Sequence, residues 1–208
     1  MAAKRAVLVG INYPATTYEL NGCVNDVRNI YNMLHDELGF IEIKTLTDYQ
    51  ATTVNILKQL NWLVDGAVAG DVLFFHYSGH GSQMMDDSDP DFEPDGLDEI
   101  ICPIDLDWDT KVIRDDDLKR IFDRVPDGVN LTVLLDCCHS GSGLDQVGSY
   151  VHKSKEQIGE GEGNSKFLQP PEHVKPNTDS VKSRKVYSRN VDSVGVLISG
   201  CASNQTSA

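Results

Sequence analysis

An apolar run that stops abruptly at a cluster of reactive side chains constrains the fold of this chain more than any other feature. The run is Leu131–Leu135, and the six residues after it read Asp-Cys-Cys-His-Ser-Gly. A run of this length that is apolar and β-branched, with Thr132 as its one polar residue, is typical of a strand buried in a parallel sheet. Ligands bind at the carboxyl ends of the strands in open α/β sheets. We therefore expect the thiols of Cys137 and Cys138 at such an edge, where a thiol can react.

A second stretch of the sequence has the same design. The apolar residues Val72–Phe75 run into the sequence His-Tyr-Ser-Gly-His-Gly, which places His80 between two glycines. If the two strands are neighbours in the sheet, His80 and a cysteine meet at one edge. A cysteine and a histidine from separate parts of a sequence are a candidate nucleophile and base.

The rest of the sequence alternates predicted strands and helices. Further strands are predicted at Ala6–Ile11, Ile41–Leu46, Ile100–Ile104 and Val194–Ser199. Helices are predicted over Val24–Leu38, from Thr52 or Thr53 with Val54, Leu57, Leu60 and Val64 on one face, and from a cap at Asp115 to a stop at Pro126. Residues 83–98 are acidic, contain two prolines and are predicted to be a loop. The alternation predicts an α/β fold with a mostly parallel central sheet sandwiched by helices.

The composition divides the chain into three parts. Its 208 residues, 40% of them hydrophobic, suit one domain with a sizeable core, which we assign to residues 1–145. Residues 146–190 contain Gly, Ser, Lys, Glu and Pro without a period and are predicted to be a flexible basic linker. Residues 191–208 begin a further region with the last predicted strand.

The charge of the chain is strongly negative and unevenly distributed. The net charge is −14, yet residues 146–193 hold eight of the 18 basic side chains and only six of the 32 acidic ones. The remainder therefore carries 26 acidic against 10 basic side chains. Such a surface repels nucleic acid and attracts cationic ligands or metal ions. Acidic side chains also keep proteins soluble, but here they cluster.

The sequence shows no sign of secretion or membrane insertion. The N-terminus reads Met-Ala-Ala-Lys-Arg and enters a short strand without a secretory apolar segment. No apolar run approaches the roughly 20 residues that span a bilayer. The five cysteines are few and odd in number. We therefore expect a cytoplasmic protein with reduced thiols and no membrane partner.

Several motifs resemble those of one family, the metacaspases, which are caspase-like cysteine peptidases. Ser78–Gly81 and the Asp-Cys-Cys-His-Ser-Gly segment at 136–141 resemble its histidine and cysteine motifs. Residues 6–14 and 22–27 are similar to its opening strand and first helix, and residues 198–207 to the start of its small subunit. The resemblance covers nearly the whole chain except roughly 146–190 and implies a caspase-like fold. It also implies that the small-subunit region would continue beyond Ala208.

The resemblance implies a catalytic dyad. It assigns the nucleophile to Cys138, the second cysteine of its pair, and the base and later acid to His80. The expected donors to the oxyanion are the backbone N–H groups of Cys138 and Gly81, since glycine allows close backbone approach. Taken alone, Cys138 could equally be a small buried hydrophobic residue and His80 a hydrogen-bonded turn residue. The motif pair in context favours catalysis.

The resemblance also implies a preference for Arg or Lys before the cleaved bond. The residues that match the family's specificity pocket are Cys23, Asp26, Ser78 and Asp136. Two carboxylates in a cleft suit a guanidinium or an ammonium group. Each acid alone has another interpretation, Asp26 as a surface residue of the first helix and Asp136 as a turn cap. The expected partners are protein or peptide substrates with these residues.

The acidic stretch at 86–98 suggests calcium, although it is not an EF-hand. An EF-hand loop that starts at Asp91 would need Glu at its twelfth position, where the chain has Cys102. The metacaspase resemblance implies a different, activating Ca²⁺ site. The residues that match it are Asp95, Asp115, Asp116 and Asp145. Four carboxylates suit a hard cation.

The basic linker offers sites for an enzyme that cuts after Arg or Lys. It holds eight such residues, and disorder would expose them. We therefore expect a zymogen that is autoprocessed within 146–190, with the basic linker shielding the acidic cleft beforehand. An ordinary solubilising linker is the alternative.

Two other classes of function stay open. One is a catalytically idle caspase-like scaffold, or an incomplete fragment, that binds partners. The other is a thiol redox protein that uses Cys137 and Cys138, although the chain has no Cys-x-x-Cys and vicinal cysteines close only a strained ring. A zinc site or a phosphate-binding loop is not supported by the cysteine and glycine spacings. The oligomeric state is open, with a monomer favoured.

Overall fold

The computed structural model of the chain describes residues 2–85, 97–137, 166–174 and 195–199. In chain order its strands are β1 (Lys4–Gly10), β2 (Glu42–Thr47), β3 (Val72–Ser78), β4 (Gly81–Met85), β5 (Leu97–Ile101), β6 (Ile113–Arg114), β7 (Asn130–Asp136) and β8 (Gly195–Ser199). Its helices are α1 (Cys23–Asn32), α2 (Thr53–Val64) and α3 (Asp115–Phe122). Short 3₁₀ turns cover Asp48–Gln50 and Glu172–Val174.

Five strands form a parallel central sheet in the order β2-β1-β3-β7-β8. This arrangement confirms the predicted α/β class, and it places the two motif strands, β3 and β7, next to each other. The register places Gly10, Ser78 and Asp136 in one row across the last residues of β1, β3 and β7. The histidine and cysteine motifs therefore leave the sheet side by side at its carboxyl edge.

Helices cover both faces of the sheet. On one face Ala6 and Leu8 of β1 share a buried cluster with Val27 of α1. On the other face Val7 of β1 shares a second cluster with buried residues of α2 and α3. The alternation of β1 residues between the two clusters follows from the period of two in a strand. Within the described ranges, no helix is long and apolar enough to cross a membrane.

The first two helices begin and end largely where the sequence predicts. The helix that starts at α1 continues as a π-helical segment over Met33–Glu37, and the chain then turns at Gly39, whose φ is +69°. Left-handed φ favours glycine, so this residue ends the helix without strain. The side chain of Thr52 accepts the N–H of Asn55 at 3.3 Å and caps α2.

The predicted buried face of α2 is wrong at one residue. Val54 is 72% exposed, while Ile56, Leu60 and Leu63 are fully buried. The capping position at Thr52 fixes the rotation of the helix, and that rotation turns the first apolar residue outward. Helix α3 begins at Asp115 itself, with Arg114 in the capping position that was predicted for Asp115.

A second, antiparallel sheet was not predicted. Strands β4, β5 and β6 pair in that order, so residues 83–85, 97 and 98 are strand rather than the predicted loop. The pair Gln83 and Glu99, which lie opposite each other in β4 and β5, shows why the sequence did not predict these strands. Both residues are buried although they are polar, so the strands lack the alternation of apolar residues that predicts a strand.

Part of the predicted linker lies against the body of the protein. Phe167 forms a parallel β-bridge with Gly81 at the start of β4, and Leu168 is buried in the core cluster. Residues 169–174 lead to the 3₁₀ turn Glu172–Val174, with Pro170 buried and Val174 packed against the core cluster. The remainder of 146–190 lies outside the described residues, as do Cys138, Asp95 and Asp145.

Candidate active site

His80 lies just beyond the end of β3, at the carboxyl edge of the sheet. Its side chain is buried, and Nε2 lies 2.7 Å from the backbone oxygen of Tyr18. A carbonyl can only accept a hydrogen bond, so Nε2 carries the hydrogen and Nδ1 is the basic atom of the neutral ring. Nδ1 is buried and makes no hydrogen bond of ordinary geometry among the described residues, although the Lys166 carbonyl acts on the ring and raises its pKa.

The environment of His80 favours its neutral form. Burial of the imidazole lowers the pKa of His80, and the backbone carbonyls of Tyr18 and Lys166 offset part of this shift. A neutral ring with a lone pair on Nδ1 is the state that a general base needs. The fold therefore keeps His80 in the form that can accept a proton.

Two buried tyrosines hold the backbone of His80. The hydroxyl of Tyr13 accepts the His80 N–H at 3.0 Å, and the hydroxyl of Tyr77 donates to the His80 carbonyl at 2.7 Å. The two hydroxyls lie 3.0 Å apart, and Tyr13 also donates to the Cys102 carbonyl at 2.5 Å. Burial raises the pKa of Tyr13 and Tyr77 well above that of an exposed tyrosine, so both stay neutral donors.

The tyrosine pair was not predicted from the sequence. Tyr77 stands within the histidine motif, and Tyr13 follows the opening strand at a position with φ of +51°. The left-handed backbone at Tyr13 is rare for a residue with a large side chain. It turns the phenol ring towards His80, where the ring centroids lie 4.7 Å apart.

The four residues predicted to line a specificity pocket meet at the carboxyl edge. Ser78 Oγ donates to Asp26 Oδ2 at 2.9 Å and lies 3.4 Å from Asp136 Oδ2. Cys23 is buried at the start of α1, and burial raises the pKa of its thiol. Strands β3 and β7 thus supply Ser78 and Asp136, and the first turn of α1 supplies Cys23 and Asp26.

Close packing of α1 against β1 brings its first turn to this edge. A Cβ atom on Gly10 would lie 2.6 Å from the backbone oxygen of Cys23 and 2.6 Å from Cγ2 of Val27. Only glycine leaves room for the helix at this distance. The last residue of β1 therefore determines how near Asp26 comes to Asp136.

A lysine from the predicted linker occupies this acidic hollow. Lys166 Nζ lies 2.5 Å from Asp136 Oδ2, 3.2 Å from Ser78 Oγ and 3.8 Å from Asp26 Oδ2. Lys166 is only 6% exposed. Burial by itself lowers the pKa of this ammonium, but the hydrogen bond and charge of Asp136 outweigh burial and raise it overall. Lys166 is therefore a buried cation paired with carboxylates.

The backbone of Lys166 is held beside His80. The N–H of Gly81, a predicted oxyanion donor, donates to the Lys166 carbonyl oxygen at 2.9 Å. Lys166 therefore has its carbonyl on this N–H and its side chain in the acidic hollow. The sequence predicted a basic linker near the cleft but did not single out Lys166.

The remaining predicted site residues are only partly described. Asp115 and Asp116 lie in the first turn of α3, both half-buried, while Cys138, Asp95 and Asp145 fall outside the described residues. Across the described ranges, no group of three or more His, Cys, Asp or Glu side chains could hold a metal ion.

Comparisons with known proteins agree with this geometry. The family described as metacaspase, peptidase C14 domain, matches residues 4–147. Metacaspase-7 of Arabidopsis thaliana is 44% identical over 165 residues, which cover 76% of this chain and 38% of that protein. Metacaspase-2 of Trypanosoma brucei brucei is 37% identical over an alignment of 213 positions, gaps included, which covers 98% of this chain and 55% of that protein.

A solved structure has a similar fold. Protein GSU0716 from Geobacter sulfurreducens superposes with a TM-score of 0.56 and 29% identity, covering 67% of this chain and 52% of that one. The chain spans between about a third and just over half of the length of the curated relatives named above. With a family match over residues 4–147 and such relatives, the chain belongs to the metacaspase family of cysteine peptidases.

Proposed function

We propose that the protein is a cysteine endopeptidase that cuts peptide bonds after Arg or Lys, with Cys138 as nucleophile and His80 as base. The observation that carries the proposal is Lys166, whose ammonium lies among Asp136, Ser78 and Asp26 while its carbonyl accepts the Gly81 N–H. The acidic hollow binds the side chain of Lys166 and the Gly81 N–H binds its carbonyl, so the peptide bond after Lys166 is the one that would be cut. The partners of such an enzyme are proteins or peptides with accessible basic residues.

The chemistry follows from the state of His80. Nδ1 of the neutral ring accepts the thiol proton of Cys138 as the sulfur attacks the carbonyl carbon. The Gly81 N–H, with that of Cys138, stabilises the negative oxygen of the tetrahedral intermediate. The carbon–nitrogen bond then breaks, and the protonated ring gives its proton to the leaving amine. Water, deprotonated by His80, hydrolyses the thioester and restores the thiol.

Specificity for a basic residue follows from charge and burial. A long cation can reach carboxylates at the base of the hollow, whereas an acidic side chain would be buried beside like charges. Arg presents a planar fork and Lys a point charge, and two acids with a hydroxyl between them suit either.

We further propose that the chain is a zymogen autoprocessed in the linker, and that the cut falls between Lys166 and Phe167. The docked linker fills the pocket that a substrate would use, so it shields the cleft until it is cut. The linker holds eight basic residues after which such a cut could fall. The placement of Lys166 in the acidic hollow favours the bond between Lys166 and Phe167.

Ca²⁺ activation is proposed on the carboxylates near α3. Asp115 and Asp116 lie side by side in the first turn, and the Asp98–Arg114 ion pair, 2.6 Å long, ties that turn to β5. In the sequence Asp95 stands two residues before the start of β5. Oxygen donors fit this hard cation, which would supply a fixed divalent charge. Asp95, Asp115, Asp116 and Asp145 would hold it.

One assay tests the proposed function. Fluorogenic peptides ending in Arg, Lys or Asp are incubated with the protein, with and without Ca²⁺, beside a Cys138→Ala variant. The proposal expects cleavage after Arg and Lys only, loss of rate with a chelator, and no cleavage by the variant. A protein that binds partners without cleaving any peptide would support the scaffold instead. Thiol–disulfide exchange that requires Cys137 would support the redox alternative.

A further inference from the structure

We propose that the start of β4 binds the residues that follow the cut bond, and that it selects an apolar side chain at the second position after the cut. This inference rests on the proposed function, because it takes Lys166 as the residue before the cut. It assigns to Gly81 and Ser82 a recognition role separate from the acidic pocket.

The backbone after Lys166 is held as an added strand. The Leu168 N–H donates to the Gly81 carbonyl at 2.9 Å, and Ser82 Oγ donates to the Leu168 carbonyl at 2.6 Å. Together with the bond from the Gly81 N–H to the Lys166 carbonyl, these contacts give parallel β-pairing around Phe167. Main-chain bonds of this kind bind an extended peptide whatever its sequence.

Side chains of this segment alternate between inside and outside. Lys166, Leu168 and Pro170 are buried, Phe167 is partly exposed and Gln169 is exposed. The period of two follows from the extended backbone. The first residue after the cut thus points away from the site, and the second points into the protein.

The environment of Leu168 explains the expected selectivity. Leu168 is 8% exposed and belongs to the same buried hydrophobic cluster as Met84 and Ile101. Burying an aliphatic side chain of this size is favourable, whereas a charged side chain would lose its hydration without a partner. The site therefore discriminates by desolvation, unlike the acidic pocket, which discriminates by charge.

The test within the chain compares one change at a buried position with the same change at an exposed neighbour. Leu168→Asp, its matched control Gln169→Asp and the parent chain are treated with Ca²⁺, and the rate of the cut between Lys166 and Phe167 is followed by mass spectrometry. The inference expects Leu168→Asp to be cut roughly tenfold more slowly or worse, as the loss of one buried aliphatic side chain implies. Gln169→Asp should be cut like the parent.

A test in trans removes any effect of the variants on folding. The Ca²⁺-treated parent chain is given internally quenched peptides that share Lys before the cut and carry Leu, Ser or Asp two positions after it. The inference expects kcat/KM to fall in the order Leu, Ser, Asp, by roughly tenfold or more between Leu and Asp. A Ser82→Ala variant should lose activity towards all three peptides by a similar factor, because Ser82 Oγ bonds to the backbone of Leu168 rather than to its side chain.

The outcomes separate the two levels of the proposal. Equal rates for the Leu and Asp peptides, with cleavage after Lys intact, overturn the inference and leave the proposed function standing. A parent chain that cuts neither itself nor any peptide contradicts the proposed function and the inference with it.

Discussion

Lys166 Nζ and Asp136 Oδ2 lie 2.5 Å apart, and this ion pair joins the predicted linker to the last residue of β7. The same lysine offers its carbonyl to Gly81, next to His80. One residue thus connects the carboxylates that would recognise a basic side chain to the groups that would cut after it. The proposed specificity and the proposed chemistry therefore depend on the same contact.

Neutralising either acid of the pocket should reduce cleavage after Arg and Lys. Asp136→Asn should lower kcat/KM by about a hundredfold or more, as expected when one partner of a largely buried charge pair is removed. Asp26→Asn should cost less, because Asp26 lies 3.8 Å from the ammonium rather than 2.5 Å. Steady-state kinetics on Arg and Lys peptides measure both effects.

The control for this prediction is a change away from the pocket. Glu37→Gln alters an exposed acid beyond α1 and should leave kcat/KM unchanged. Cys138 should react with a small alkylating agent at the parent rate in all three variants, which shows that the fold is intact. Full cleavage by Asp136→Asn would remove this residue from the pocket.

Loss of the Tyr13 hydroxyl should loosen His80. Tyr13→Phe leaves the buried His80 N–H without the acceptor it has at 3.0 Å, at a cost of about 1–3 kcal/mol in the free energy of unfolding. We expect a lower kcat as well, since the backbone of His80 would lose one of the two hydrogen bonds to tyrosine hydroxyls that fix its position. Urea denaturation and peptide kinetics measure the two effects. The exposed Tyr49, changed to Phe, is the matched control and should alter neither. A Tyr13→Phe chain with parent stability and kcat would show that the tyrosine pair does not position His80.

Two buried histidines should make the protein less stable as the pH falls below neutral. Burial lowers the pKa of His76 and that of His80, so the unfolded chain takes up these protons at a higher pH than the folded one. The stabilisation is complete above the ordinary histidine pKa of about 6.5 and is lost as the pH falls through the lower folded values. Urea unfolding between pH 7.5 and 5.5 should show this loss.

His76 allows the pH effect to be tested apart from the proposed chemistry. Its ring is buried, with Nδ1 at 3.3 Å from the Leu134 carbonyl. As the pH is lowered, the free energy of unfolding of His76→Gln should fall less steeply than that of the parent, because one titrating group is gone. Identical pH slopes in the two proteins would mean that His76 binds its proton equally well in the folded and unfolded chains.

The strands of the central sheet were predictable because their sequences are distinctive. Val72–Phe75 is an unbroken apolar run, and Leu131–Leu135 is apolar apart from Thr132. Both end in polar residues, as is typical of the strands of a parallel sheet. Their pairing in the fold follows from that pattern and brings Ser78 next to Asp136. The two patterns therefore account for Ser78 and Asp136 at one edge of the sheet, whereas Cys23 and Asp26 were assigned to the pocket by the family resemblance alone.

The contacts of polar residues could not be predicted in the same way. Strand β4 has the sequence Gly-Ser-Gln-Met-Met, and only its pairing with β5 and with Phe167 makes it a strand. The linker lacks a period, so nothing in its sequence distinguished Lys166 from its seven other basic residues. Its position depends on carboxylates 30 and more residues away, which only the folded chain brings together.

The most direct test of the account is the mass of the fragments that the Ca²⁺-treated chain produces. The parent should be cut between Lys166 and Phe167, Lys166→Gln should resist at that bond, and Cys138→Ala should stay whole. A parent chain that remains intact, or a Lys166→Gln chain cut at the same place and rate, would contradict the proposal that Lys166 lies in the pocket as a substrate does.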